Sequence, residues 1–178
     1  LLMARWLESS DDPEAIRCIG EKTPEHALGL PIFDSSFPGC RVLHIVRDPR
    51  DVAVSGWFHN LRQKGDAFKQ QFATSADYAA YVMQGHYVPY ITKARQFGAQ
   101  HPERYHELRY EALHREPVET LAGVCGLLGL DADEGIIRGC LDAASFDKLA
   151  GGRDQGQEDR GSFFRKGVVG DWREHLDD

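Results

Sequence analysis

The run Cys40-Arg41-Val42-Leu43-His44-Ile45-Val46, followed at once by Arg47-Asp48-Pro49-Arg50-Asp51, constrains this chain more than any other feature. The run is short, mostly apolar and rich in branched side chains, which predicts a strand buried on both faces. Asp48 then offers an N-cap oxygen, Pro49 suits the first helical position, and Asp51 places a carboxylate where the helix dipole favours it. A helix is therefore expected from Pro49 to about Leu61. Arg47 would stand at the carboxyl end of the strand, beside a helix N-terminus. That is where parallel α/β sheets bind ligands and where anions are favoured. Ser55 lies about 10 Å along the helix at roughly 1.5 Å per residue. One phosphate can then meet both the guanidinium and the hydroxyl.

Near the other end, Gly161 to Asp171 (GSFFRKGVVGD) combines glycines with adjacent Arg165 and Lys166. Glycine lets the backbone approach an anion closely, and consecutive N–H groups form anion-binding concavities. Arg165 would supply a forked donor and Lys166 a point charge, next to Gly167. Taken separately, the first segment also reads as a surface turn with a solvated Arg, and the second as a basic, flexible tail.

Together, Arg47 to Ser55 (RDPRDVAVS) and Arg165 to Trp172 (RKGVVGDW) resemble the R-[ND]-P-x-D-x-x-x-S and R-K-G-x-x-G-D-W segments of the cytosolic-type sulfotransferase family. The resemblance runs from Cys18 to Trp172. It implies 3′-phosphoadenosine 5′-phosphosulfate (PAPS) as donor, with its 3′-phosphate held by Arg47, Ser55, Arg165, Lys166 and Gly167. It also implies that Tyr110, in Tyr110-Glu111, lies by the adenine and that Phe146, in Ser145-Phe146, packs on the base. Such a face contributes about 1–3 kcal/mol to base stacking. Read from the residues alone, both aromatics are equally served by places in the core.

Sulfuryl transfer demands in-line geometry, donors for oxygen charge and a base for the acceptor. Glu21-Lys22-Thr23-Pro24 falls where the family carries a lysine-threonine pair, K-T-H in the cytosolic type and E-K-[ST]-P in the heparan-sulfate type. The resemblance puts Lys22 beside the transferring group; an ion pair with Glu21 or another carboxylate is the alternative. Where the cytosolic type has its catalytic histidine, this chain has Pro24, which accepts no proton. His26 is close in sequence and has a suitable intrinsic pKa, but it also reads as a helix-surface residue. Glu21 beside Lys22 is a weak base, because its charged form is favoured. The base stays open.

The chain is one domain-sized unit of 178 residues, and its net charge of −7 argues against nucleic acid as partner. No window approaches a membrane span. The four cysteines, 18, 40, 125 and 140, show no paired spacing and are expected as buried, reduced thiols of a cytoplasmic protein. No His or Cys set has zinc spacing, so no metal is expected. Further strands are expected at residues 16–20 and 104–108, and helices at 76–83, 88–97, 117–128 and 133–144. Such alternation implies an α/β fold. With the resemblance, the expectation is a P-loop-NTPase-like layered parallel sheet flanked by helices, lacking its first strand and P-loop. No G-x-x-x-x-G-K-[ST] turn occurs, and residues 1–178 read as a single, partial domain. The charged, glycine-rich stretch 151–161 reads as a mobile loop and a candidate lid.

The expected function is sulfuryl transfer from PAPS to a hydroxyl or amine on a small-molecule or glycan acceptor. These residues alone are expected to lack useful turnover. A non-catalytic nucleotide-binding module and a P-loop-type nucleotide kinase are the alternatives. The coding sequence upstream of Leu1 discriminates them.

Overall fold

The computed structural model describes residues 12, 14, 16, 18–131 and 133–176. These form a mixed α/β arrangement, a small parallel two-stranded sheet among helices. Helix α1 (His26–Ser36) leads into strand β1 (Val42–Val46), which turns at Arg47 into helix α2 (Pro49–Lys64). Three helices follow: α3 (Asp66–Gln71), α4 (Ser75–Val82) and α5 (Val88–Gln100). Strand β2 (Tyr105–Arg109) then pairs with β1 in parallel, Val42 opposite Tyr105 and Val46 opposite Arg109. A parallel pair needs a long crossover, and these helices supply it. Beyond β2 come α6 (Tyr110–Arg115), α7 (Pro117–Leu128), α8 (Glu134–Ala143) and α9 (Phe146–Leu149).

The strand-to-helix turn forms as its residues require. Asp48 accepts a hydrogen bond from the Arg50 N–H at 2.9 Å, Pro49 opens α2, and Asp51 lies in the first turn. The helix runs past Leu61 to Lys64 and stops at Gly65, whose φ of +53° favours glycine. Strand β2 and helices α4, α5, α7 and α8 lie where expected, within a few residues at their ends.

Three expectations are corrected. In the segment 16–20, Arg17 lies outside the described residues, and Ile16, Cys18, Ile19 and Gly20 form no strand. A strand needs a ladder partner, and β1 is paired with β2 alone among the described residues. Nor is β1 covered on both faces: Val46 is buried, but Leu43 is 38% and Ile45 52% exposed. Among the described residues, helices α1 and α5 cover the Val42 side, where Leu30, Ala94 and Phe97 pack with Ala27, Val42 and Tyr105. The cysteines are free, as expected, but Cys18 and Cys140 are exposed and Cys40 and Cys125 half-buried.

A second core joins α2, α3 and α4 through Phe68, Tyr78 and Val82, packed with Val52, Trp57, Leu61 and Phe72. Between α4 and α5 the chain makes a wide π-type turn, Met83–Tyr87. Its Tyr87 hydroxyl donates to the Arg47 carbonyl at 2.7 Å, tying this turn to the end of β1. Among the described residues no helix is long and apolar enough to cross a membrane.

Candidate functional site

The carboxyl end of β1 delivers Arg47 into a cluster built from distant parts of the chain. Its guanidinium lies over the Tyr110 ring, 4.4 Å from the centroid. One terminal nitrogen donates to the Val168 carbonyl at 3.0 Å and sits 3.7 Å from the Asp51 carboxylate. Its Nε is enclosed without a hydrogen-bond partner among the described residues. A buried donor left unpaired is costly, so such an atom marks a place where a further acceptor fits. Tyr110 is placed by β2, whose last residue precedes it, and its ring also meets His114 at 4.7 Å.

Asp51 joins the two motifs. Its carboxylate, 1% exposed, accepts from the Gly170 N–H at 2.7 Å and from the Trp172 N–H at 3.0 Å. Sequence reasoning assigned Asp51 only to the helix dipole. Its partners lie 119 and 121 residues away, so no local pattern could announce them.

Arg165 and Lys166 converge on a different carboxylate. Asp171, 4% exposed, accepts from Arg165 and, at 2.7 Å, from the Lys166 ammonium. Burial acts to raise the Asp171 pKa, but the bonds from Lys166 and Arg165 outweigh it and hold the carboxyl below its ordinary value. The same bond to Asp171, with a second that Lys166 donates to Glu174 at 2.6 Å, raises the Lys166 pKa. Arg165 also pairs with Glu158 and lies over the Phe58 ring at 4.4 Å. Phe58 is three residues beyond Ser55 on α2, so Ser55 and the Arg165 guanidinium share one face of that helix. Ser55 itself is exposed and makes no side-chain hydrogen bond among the described residues.

Gly167 has φ +70° and its backbone runs against the Phe146 ring, so close that a Cβ would overlap it. Its carbonyl accepts from Gln155, whose amide nitrogen is also 3.2 Å from His114 Nδ1. Burial, and then the Arg47 charge, hold the His114 pKa below its ordinary value. Of the expected donor residues, Arg47 and Tyr110 thus meet directly, as do Gly167 and Phe146, while Arg165 and Lys166 share Asp171. The stretch 151–161 is irregular, as expected, and folds back on this segment. The Gly156 N–H donates to the Lys166 carbonyl at 2.9 Å and the Asp159 N–H to the Arg165 carbonyl at 2.8 Å.

No hydrogen bond, ion pair or ring contact joins Lys22 or His26 to this cluster among the described residues. Lys22 is exposed, and no ion pair joins it to Glu21 or any other carboxylate among the described residues. His26 opens α1, half-buried, with its ring edge-on to Phe33 at 4.5 Å. A further imidazole escaped sequence reasoning: His86 sits in the π-type turn between Tyr81 and Tyr90, with Nδ1 enclosed and unpartnered among the described residues. Such turns recur at functional sites, but no sequence signal announces them. Asp171, Glu174 and His175 are close enough to surround a cation. Lys166 already pairs with both carboxylates.

Residues 23–178 match the sulfotransferase domain family. Cytosolic sulfotransferase 16 of Arabidopsis thaliana is 32% identical over 161 residues, covering 78% of this chain and 46% of that protein. The 3-beta-hydroxysteroid sulfotransferase of Cavia porcellus is 26% identical over 187 residues, covering 96% of this chain and 63% of that protein. The crystal structure of mouse sulfotransferase SULT7A1 complexed with PAP superposes with a TM-score of 0.65 at 23% identity, over 83% of this chain and 56% of that one. At that identity the likeness is one of fold. The chain spans about half the length of the curated relatives it matches.

Proposed function

The chain belongs to the sulfotransferase family, and from that premise we propose that it serves transfer of a sulfuryl group from PAPS to a hydroxyl or amine of a small-molecule or glycan acceptor in the cytoplasm. The observation that carries this reading is Arg47: a guanidinium at the carboxyl end of a parallel strand, laid on Tyr110, with an enclosed Nε that has no partner among the described residues. A planar fork of N–H donors suits a phosphate. In this reading Arg47, Ser55 and Arg165 hold the 3′-phosphate, Lys166 and Gly167 complete its surround, and Tyr110 and Phe146 flank the adenine. PAPS supplies the activated sulfuryl group. Lys22, at the exposed end of the segment before α1, is the residue proposed to neutralise oxygen charge there. β1 and β2 are then two strands of a larger, P-loop-like sheet, and the open Leu43–Ile45 face of β1 is one on which further helices of that fold would pack.

Titration calorimetry with adenosine 3′,5′-bisphosphate tests the donor pocket, with adenosine 5′-monophosphate as reference. Arg47→Ala and Arg165→Ala should each weaken the bisphosphate by about 1.5–3 kcal/mol, the range for hydrogen bonds to charged groups. The monophosphate should be affected far less. Equal losses for the two nucleotides would refute the assignment of these residues to the 3′-phosphate.

A further inference from the structure

We propose that Glu158 stands in the place of the donor's 3′-phosphate and sets how strongly Arg165 selects a nucleotide that carries one, an inference that rests on the donor-pocket reading above. Arg165 has two carboxylate partners of different character. Asp171 has a side chain 2% exposed, shared with Lys166, and is a fixed part of the site. Glu158 is 28% exposed, belongs to the irregular stretch 151–161, and has a second partner of its own in Arg160 at 3.1 Å. Arg165 is thus closed on one side by a permanent anion and on the other by a replaceable one.

The replaceable side is the one a ligand can take. A guanidinium presents its N–H groups as a planar fork, and that fork accepts a carboxylate or a phosphate in the same geometry. The Arg165 guanidinium lies over Phe58, on the face of α2 that also carries Ser55. A phosphate replacing Glu158 would therefore find the Ser55 hydroxyl on the same side. Burial acts to raise the Glu158 pKa, yet the bonds from Arg165 and Arg160 outweigh it, so the stand-in is itself an anion at neutral pH.

Charge decides the competition. A phosphate monoester carries about −1.5 to −2 at neutral pH, against −1 for a carboxylate, and brings three acceptor oxygens. A 3′-phosphorylated nucleotide can displace Glu158, which keeps Arg160 as partner. A nucleotide with a bare 3′-hydroxyl offers Arg165 nothing better than it has. The loop need not leave: the Gly156 and Asp159 N–H bonds to the Lys166 and Arg165 carbonyls do not involve the Glu158 side chain.

Glu158→Gln tests this by removing the charge while keeping the shape. In titration calorimetry on the whole chain, the variant should bind adenosine 3′,5′-bisphosphate about fivefold tighter, the scale of a partly exposed ion pair. Its affinity for adenosine 5′-monophosphate should move less than about twofold on that same scale. Bisphosphate affinity that is unchanged or weaker in Glu158→Gln overturns the stand-in role, as does an equal gain for both nucleotides. Wild-type protein with no preference for the bisphosphate overturns the donor pocket itself, and this inference with it. A wild-type preference left intact by the substitution overturns the stand-in role alone.

Discussion

At Gly167 one methyl group would meet two obstacles, a backbone with φ +70° and the volume of the Phe146 ring. The left-handed conformation costs an L-residue about 1–2 kcal/mol, and overpacking typically about 1–3 more. Gly167→Ala is therefore expected to lower stability by roughly 2–5 kcal/mol in urea denaturation, and to displace Phe146, reducing bisphosphate affinity in the same preparation. A variant as stable as wild type would show that neither the backbone conformation nor the ring opposes a side chain at this position. Residues of this kind were legible in sequence because glycine, Arg and Lys adjacent to one another already describe an anion-binding backbone. Their carboxylate partners were not: Asp171 lies in the same segment, but only folding buries it against Arg165 and Lys166. Tyr110 and Phe146 were left between core and site by their residue type. Each is half-buried, one beneath the Arg47 guanidinium and the other against Gly167.

Among the elements, those with strong local signals were legible. Helix α2 has its cap, its Pro at the first position and its terminal glycine; α7 begins at Pro117 and ends at Gly129, with φ +68°. Helix α1 was missed because Pro31 lies inside it and its apolar residues do not keep to one side, Leu28 and Ile32 being exposed. Helices α3 and α6 have six residues each, too few for a periodic pattern to emerge. The join between β2 and α5 makes an element-level prediction. Glu107 on β2 accepts from Arg95 on α5 at 2.9 and 2.8 Å, and those bonds hold its pKa at about 2 against an ordinary 4.5. A depressed carboxyl contributes stability above its unfolded pKa and loses it as pH falls through the folded value. The Glu107 contribution is thus whole above about pH 4.5 and fades toward pH 2. Neighbouring His44 on β1, 2.6 Å from the Tyr105 hydroxyl, has its pKa lowered by burial, so its contribution fades as pH falls through 6.5. Thermal melts at successive pH values should show Glu107→Gln below wild type at neutral pH, with the gap closing between about pH 4.5 and 2. A constant gap would mean that the lost stability comes from packing and not from the charge.

For the molecule as a whole, binding and folding meet at Asp51. Its two hydrogen bonds hold Gly170 and Trp172 to the first turn of α2, while Ser75 at the start of α4 donates to the His175 carbonyl at 3.1 Å. The candidate phosphate site therefore exists only when the Arg47–Ser55 and Arg165–Trp172 segments are folded together. A ligand that binds the folded state alone stabilises it by about 2.7 kcal/mol at a hundred times its Kd. For a chain of this size each kcal/mol raises Tm by roughly 2–4 °C. Adenosine 3′,5′-bisphosphate should produce such a rise. Asp51→Asn leaves one acceptor oxygen for two N–H donors and turns an amide N–H toward the other. The loss should be about 1–3 kcal/mol, the cost of an unpaired buried donor. Because the same bonds seat the Arg165 to Trp172 segment, the bisphosphate-induced rise in Tm should shrink as well. Arg47→Ala should reduce that rise while leaving both Asp51 bonds in place, so its unliganded Tm should fall less. An Asp51→Asn protein that melts early yet keeps the full bisphosphate shift would show that the phosphate site assembles without the clasp.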